Sequence, residues 1–405
     1  MQVAMMQITN REKEDQITPI LRQAFRPLFL LGALFSAVSI LLWGFALAGK
    51  ISLPVYGNIM FWHSHEMIFG FVVAIVLGFL LTAVQNWTGL RAPHGNTLLV
   101  LTVLWSAARL LLLFGENLPW WLVAAVDVSV LPVAAFLFGK MVLKVNQTRN
   151  LFFVPILLLL TVCNLLMHYG LHFGHYNIQI LGAYNAVFLV TLLMAIIGGR
   201  VLPMFTANGT MTPKVQALPW LDKMALGSLW LIFAVHFFNL HTLLPSQVMV
   251  VLFAFCAITT AVRVARWKIW ITWRVPLLWS LHIAYWFIPV GLALFALRYA
   301  GIEITQSVAM HALTAGAMGN MILSMIARVS LGHSGRPLQP KPIMWGAFLL
   351  VVIAAVTRVF LIGFMPELTS QWLMLSTLAW AIAYSIYVVV YFKVLTTPRA
   401  DGNPG

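Results

Sequence analysis

Along this chain, apolar residues run in blocks of roughly 20 positions, parted by short polar breaks that hold most of the charges. The blocks show no alternation of apolar and polar positions. Lipid leaves a spanning chain only helices or closed barrels, so the pattern predicts helices. About twelve spans are expected from this length rule, at 25–48, 62–84, 96–114, 118–140, 149–169, 176–198, 222–240, 245–265, 275–298, 303–328, 342–362 and 369–394.

Composition agrees with the pattern. The 405 residues are 61% hydrophobic and 8% charged, which places the chain outside the range of soluble domains. Mean hydropathy is +0.93. The reading is an all-α polytopic membrane protein, with a cytoplasmic N-terminal segment at 1–24, one transmembrane domain at 25–394 and a cytoplasmic tail at 395–405. Charged residues crowd the first 24 positions and no small-residue cleavage site closes an early apolar core, so no removable signal peptide is expected.

The net charge of +14 brings nucleic acid to mind. Its basic residues sit in short loops at helix ends, where orientation in a bilayer accounts for them, and nucleic-acid binding is excluded. Cys163 and Cys256 lie singly in apolar spans with no zinc spacing, and read as packing residues.

Counting lysine and arginine by loop places 20 of the 24 on one side. The positive-inside rule then puts both termini in the cytoplasm. With that orientation His63 and His65 open the second span at the outer surface, and His168 closes the fifth there. His172 and His175 lie in the following outer loop, His236 and His241 end the seventh span, and His311 lies on the order of 12 Å down the tenth. Eight of the 11 histidines thus fall in the outer half.

Ionisable residues inside a membrane are costly and face partners in the bundle. In "FWHSHEMIFG" (61–70), His63 and Glu66 are three apart and share a helical face, which suits Glu66 to orient His63; His65 points some 200° away, toward another neighbour. His65 and His311 each have a glycine five residues later, Gly70 and Gly316. Such small residues allow close helix packing or leave room for a flat macrocycle. Arg109 and Asp127 come at comparable depths on adjacent helices, and are expected to form a buried ion pair.

A weak repeat aligns spans 2, 6 and 10 through Gly89, Gly209 and Gly335, and sets His65 opposite His311 with Asn185 between them. Three units of four helices with outer-half histidines resemble the catalytic subunit of haem-copper oxidases, although that family's paired histidines on helix 10 and its histidine on helix 6 are missing here.

The motifs "FRPLFLLG" (25–32), "WHSHEMIFGFVVAIVLGFLLTAVQNWTG" (62–89), "GGRVLPMFT" (198–206), "LWSLHIAYWFIPVGLAL" (278–294) and "HALTAGAMGNMILSMIARVSLGHSGRP" (311–337) resemble the NnrS family. The resemblance implies a bacterial inner-membrane protein containing haem, expected to be b-type, and copper, associated with nitric oxide stress and denitrification. Its motifs fall on His63, His65, Glu66, Arg200, His282, His311, Arg328, His333 and Arg336. His65, His311, His63 and His282 are thereby candidate cofactor-binding residues. His63, His65, His168, His236 and His311 are candidate metal ligands, and Glu66, Arg200, Arg328, His333 and Arg336 are candidates to support them.

Imidazole pairs suit haem and copper, and an open coordination position admits a diatomic such as NO. The expected function is binding or reduction of NO or an iron-nitrosyl species, with an electron donor that the sequence does not name and membrane lipid as surroundings. Two other classes fit twelve helices: a secondary transporter and a non-catalytic NO sensor. No residue is singled out as catalytic.

Overall fold

The computed structural model describes residues 11–404 and is helical, with no strand among them. Eleven helices are long and apolar enough to cross a membrane. In chain order the long helices are α1 (Phe25–Leu47), α2 (Ile59–Thr88), α3 (Gly95–Phe114), α4 (Trp120–Lys144), α5 (Thr148–His172) and α6 (Tyr176–Thr210), followed by α7 (Pro219–Phe237). The remainder are α8 (Ser246–Ile271), α9 (Pro276–Tyr299), α10 (Gln306–His333), α11 (Ile343–Phe364) and α12 (Pro366–Thr396).

Helix α7 accounts for the difference from twelve. It forms where the seventh span was expected, but opens on Pro219 and carries Asp222 and Lys223 in its first turns, so it is short and polar for a span. Of the expected N-terminal segment 1–24, residues 1–10 lie outside the described residues.

The chain divides into two compact units. The first comprises Met1–Gly182, Ile326–Gln339 and Tyr384–Gly405, and the second Ala183–Met325 and Pro340–Ala383. In the first unit, α1 lies close against α2 because Gly78 has no side chain: a Cβ there would stand 2.9 Å from the ring of Phe29. The backbone N–H of Phe25 also donates to Thr82 Oγ1 at 3.0 Å, tying the start of α1 to α2. Trp87 stacks on Phe153 with centroids 5.5 Å apart, fastening α2 to α5. In lipid, where burial against other helices gains little hydrophobic energy, such close van der Waals contact is the main adhesive.

In the second unit Arg263 of α8 is the polar knot. It donates to Asp222 at 2.6 Å, to the carbonyl of Ala195 at 2.8 Å and to the Tyr285 hydroxyl at 2.7 Å. Gly199 makes room for it, since a Cβ there would collide with the guanidinium.

Two helices change winding at a histidine. In α2 a π-helical segment runs Glu66–Val72, directly after His65; in α10 one runs Ala312–Gly319, directly after His311. The wider i→i+5 winding inserts one residue and re-aims side chains, and such bulges gather at functional sites. Gly89 and Gly335 follow the two segments with φ of 69° and 70°. Helix α6, the middle copy of the weak repeat, is α-helical from Tyr176 to Thr210.

Candidate metal centre

Helices α2, α3, α4 and α5 bring six polar side chains together inside the first unit. His65 ends the first α-helical stretch of α2, and the π winding begins at Glu66. The carbonyl of Gly70, within that segment, accepts the indole N–H of Trp105 at 3.0 Å, which fixes α3 beside it. One turn further along, α3 presents Arg109. Helix α4 contributes Asp127, and α5 contributes Asn164 and His168, four residues apart on one face.

Asp127 is the hub. One carboxylate oxygen, Oδ1, accepts from Arg109. The other, Oδ2, lies 3.1 Å from His65 Nε2 and 3.2 Å from His168 Nε2, and accepts from Asn164 at 2.6 Å. His65 is held at both nitrogens: Nδ1 stands 3.0 Å from Glu66 Oε1, and Nε2 is also 2.8 Å from Asn164 Oδ1. Arg109 bridges the two carboxylates, reaching Glu66 as well as Asp127.

Charge follows from this geometry. Two carboxylates and one guanidinium leave a net negative charge, and His65 facing acceptor oxygens at both nitrogens has the bonding pattern of an imidazolium. With that proton the cluster is neutral, as a dry interior demands. Phe61 stacks on His65 at 5.2 Å and Tyr56 tilts against His168 at 5.6 Å. Tyr56 lies in the loop before α2, where burial and the nearby Asp127 push its phenol up to about 12.

The same atoms suit a metal ion. His65, Asp127 and His168 each offer a ligand atom, all within 4.8 Å of one another and all buried. Ligand bonds of 2.0–2.1 Å put adjacent donors roughly 2.9 to 3.4 Å apart, and the two His–Asp separations of 3.1 and 3.2 Å fall in that range. Two imidazoles and a carboxylate are donors for iron, copper or zinc. His168 Nδ1 and Glu66 Oε2 are buried without hydrogen-bond partners, so the cluster keeps unused polar atoms. A haem against His65 is a poorer fit. The space beside Gly70 is filled by Phe35, Arg109 and Glu66, lying 2.5, 2.9 and 3.2 Å from where a Cβ would be.

Of the candidates read from the sequence, the cluster unites His65, His168 and Glu66. Glu66, expected to orient His63, is bound by Arg109 and stands 3.0 Å from His65 Nδ1, and the His63 ring stacks on Trp43 of α1 at 4.0 Å. The expected Arg109–Asp127 pair is present and forms part of the centre.

The remaining candidates lie apart in the chain. In the second unit, His236 Nδ1 bonds the carbonyl of Ile232 at 2.9 Å and its ring stacks on His241 at 4.6 Å. His311 Nδ1 bonds the carbonyl of Ser307 at 2.7 Å, and the gap at Gly316 is taken by the Phe287 ring. His282 is buried with Nε2 2.9 Å from Thr206 Oγ1. Arg200 is exposed on α6. In the first unit Arg328 is buried, the His333 ring lies 5.7 Å from that of Phe25, and Arg336 donates to the carbonyl of Ser334.

Residues 19–399 match the family model described as NnrS protein. No curated protein matches the chain.

Proposed function

Because the chain belongs to the NnrS family, matched across residues 19–399, we propose that it is a metal-dependent membrane protein of the nitric oxide response that works through the His65–Asp127–His168 cluster. The observation that carries this reading is the donor set itself: three ligand atoms within 4.8 Å, sealed inside a helical unit and charge-compensated by Arg109. The link to nitric oxide comes from the family resemblance. A first-row metal with an open position supplies affinity for a diatomic.

The chain's own residues have separate parts in this reading. His65 and His168 would hold the metal through Nε2, and Asp127 through Oδ2. Asn164 donates to Asp127 and holds that carboxylate in place, as outer partners of metal ligands do. Arg109 pairs with Asp127 and fixes its orientation. Glu66 accepts the Nδ1 proton of His65, and metal binding releases the Nε2 proton. The protein would sit in a bacterial inner membrane with both termini cytoplasmic, and redox turnover would require an electron donor. A haem beside His311 meets the same obstacle as one beside His65, because the Phe287 ring takes the space at Gly316.

The test is anaerobic titration of the metal-loaded protein with NO, followed by electron paramagnetic resonance and by loss of NO. A new nitrosyl signal that disappears in His168→Ala supports the reading, and consumption of NO with a reductant makes it an oxidoreductase. A signal without consumption makes it a sensor. An unchanged spectrum in the loaded protein contradicts it.

A second reading is favoured by the π-wound segments that interrupt α2, α10 and α11, since irregular helices mark the substrate sites of carriers. Under that reading proteoliposomes would take up the metal ion in exchange for protons.

A further inference from the structure

Arg26, the second residue of α1, has no exposed surface and, among the described residues, no carboxylate partner. Its Nη1 donates to the carbonyls of Leu395 and Thr397 at 3.0 and 2.7 Å. These carbonyls belong to the end of α12, where the helix dipole is negative, so this nitrogen caps the helix. Among the described residues, Nε and Nη2 remain without an acceptor. A buried cation with unmet donors is costly to the fold and calls for an anion.

Three more arginines, Arg22, Arg336 and Arg399, act electrostatically on Arg26. Arg399 is neutralised by Asp401 at 2.5 Å, and Arg22 meets Asp15 at 3.4 Å. Glu14, the acid that acts on Arg26, is already held by Arg91 at 2.6 Å. Among the described residues, Arg336 donates only to the Ser334 carbonyl, at 3.3 Å. Two guanidinium groups, those of Arg26 and Arg336, are therefore left over.

The backbone around them is fixed. Arg399 Nη1 donates to the His333 carbonyl at 3.1 Å, and the N–H of Ala400 to the Ser334 carbonyl at 2.9 Å. Gly335, with φ of 70°, lets Asp401 approach to 2.4 Å from where a Cβ would stand, an approach that a larger residue would block. The turn at 333–336 and the segment at 399–401 thus close around the arginines, all within the first unit.

We propose that Arg26 and Arg336 form a binding site for a phosphate-type oxyanion, separate from the histidine cluster. Guanidinium forks match the oxygens of phosphate, and basic clusters at helix ends bind the head groups of anionic lipids. The same chemistry arises from a phosphatidylglycerol head group or from free inorganic phosphate.

The test measures thermal unfolding of the full chain in detergent with phosphatidylglycerol, phosphatidylcholine, sodium phosphate or sodium chloride at matched ionic strength. Native mass spectrometry reads retained lipid on the same samples. Phosphatidylglycerol or phosphate is expected to raise the midpoint where phosphatidylcholine and chloride do not. Loss of one charge-assisted contact in Arg336→Gln should weaken that response about tenfold. A response to phosphatidylglycerol alone assigns a lipid site, and a response to phosphate as well assigns a free oxyanion. Because Arg26→Gln also removes a helix cap, the partly exposed Arg336 gives the decisive variant. Equal responses to all four additives, or an undiminished response in Arg336→Gln, overturn the proposal.

Discussion

Asp127 divides its carboxylate between two kinds of partner: Oδ1 accepts from Arg109, and Oδ2 stands 3.2 Å from His168 Nε2. The first contact holds the carboxylate charged inside the helices, and the second makes that charge available to a ligand. A group with both duties is hard to replace.

Asp127→Asn removes a ligand and leaves Arg109 with one carboxylate instead of two. Breaking a buried pair costs about 3–5 kcal/mol. The variant is expected to lose bound metal and to unfold at a lower temperature, read by metal analysis and thermal unfolding. Full metal occupancy with an unchanged midpoint would argue that Asp127 has neither role.

Asn164→Leu separates positioning from ligation. Asn164 donates to Asp127 Oδ2 and offers no anionic donor of its own. Loss of an outer partner typically lowers metal affinity 10–100-fold, so the variant should fold and bind metal about that much more weakly in a chelator competition. Wild-type affinity would show that the ligands are held by other means.

Gly70→Ala places a methyl 2.5 Å from Phe35 Cε1 and 2.9 Å from Arg109 Nη1. Overpacking of this kind costs roughly 1–3 kcal/mol. Gly227→Ala, with nothing within 4 Å of its Cβ, is the matched control and should be neutral or slightly stabilising. Equal midpoints for the two variants would contradict the tight packing at the centre.

Tyr56 offers a pH signature. Its phenol is pushed up to about 12 from 10.0, chiefly by burial and then by Asp127. A raised value means that the neutral phenol stabilises the fold. That contribution is complete below pH 10.0, and is lost as pH climbs toward about 12. The difference in tyrosinate absorbance between wild type and Tyr56→Phe should stay near zero at pH 10 and rise only beyond it. A half-ionised Tyr56 at pH 10 would place it in open water.

How much of this was legible in the chain depends on the kind of signal. Apolar runs of span length give the helices directly, and α7 departs from expectation only because Asp222 and Lys223 dilute its apolar run. The Arg109–Asp127 pair was readable from opposite charges at matched depth. The contacts of Glu66 with Arg109 and with the neighbouring His65 were not, because they depend on α3 packing beside α2. Asn164 carries a usable sequence signal of its own: a lone amide in the apolar run "TVCNLLMH", four residues before a histidine. The meeting of α2, α3, α4 and α5 on Asp127 is long-range packing, which no local spacing encodes.

The central claim is tested most directly by counting metal in purified protein after loading separately with iron, copper and zinc, alongside His65→Ala, Asp127→Asn and His168→Ala. X-ray absorption of the loaded wild type would then identify the ligands. About one ion per chain is expected, bound by nitrogen and oxygen donors at roughly 2.0–2.2 Å and lost in all three variants. No bound ion in the wild type, or equal occupancy in the variants, would contradict it.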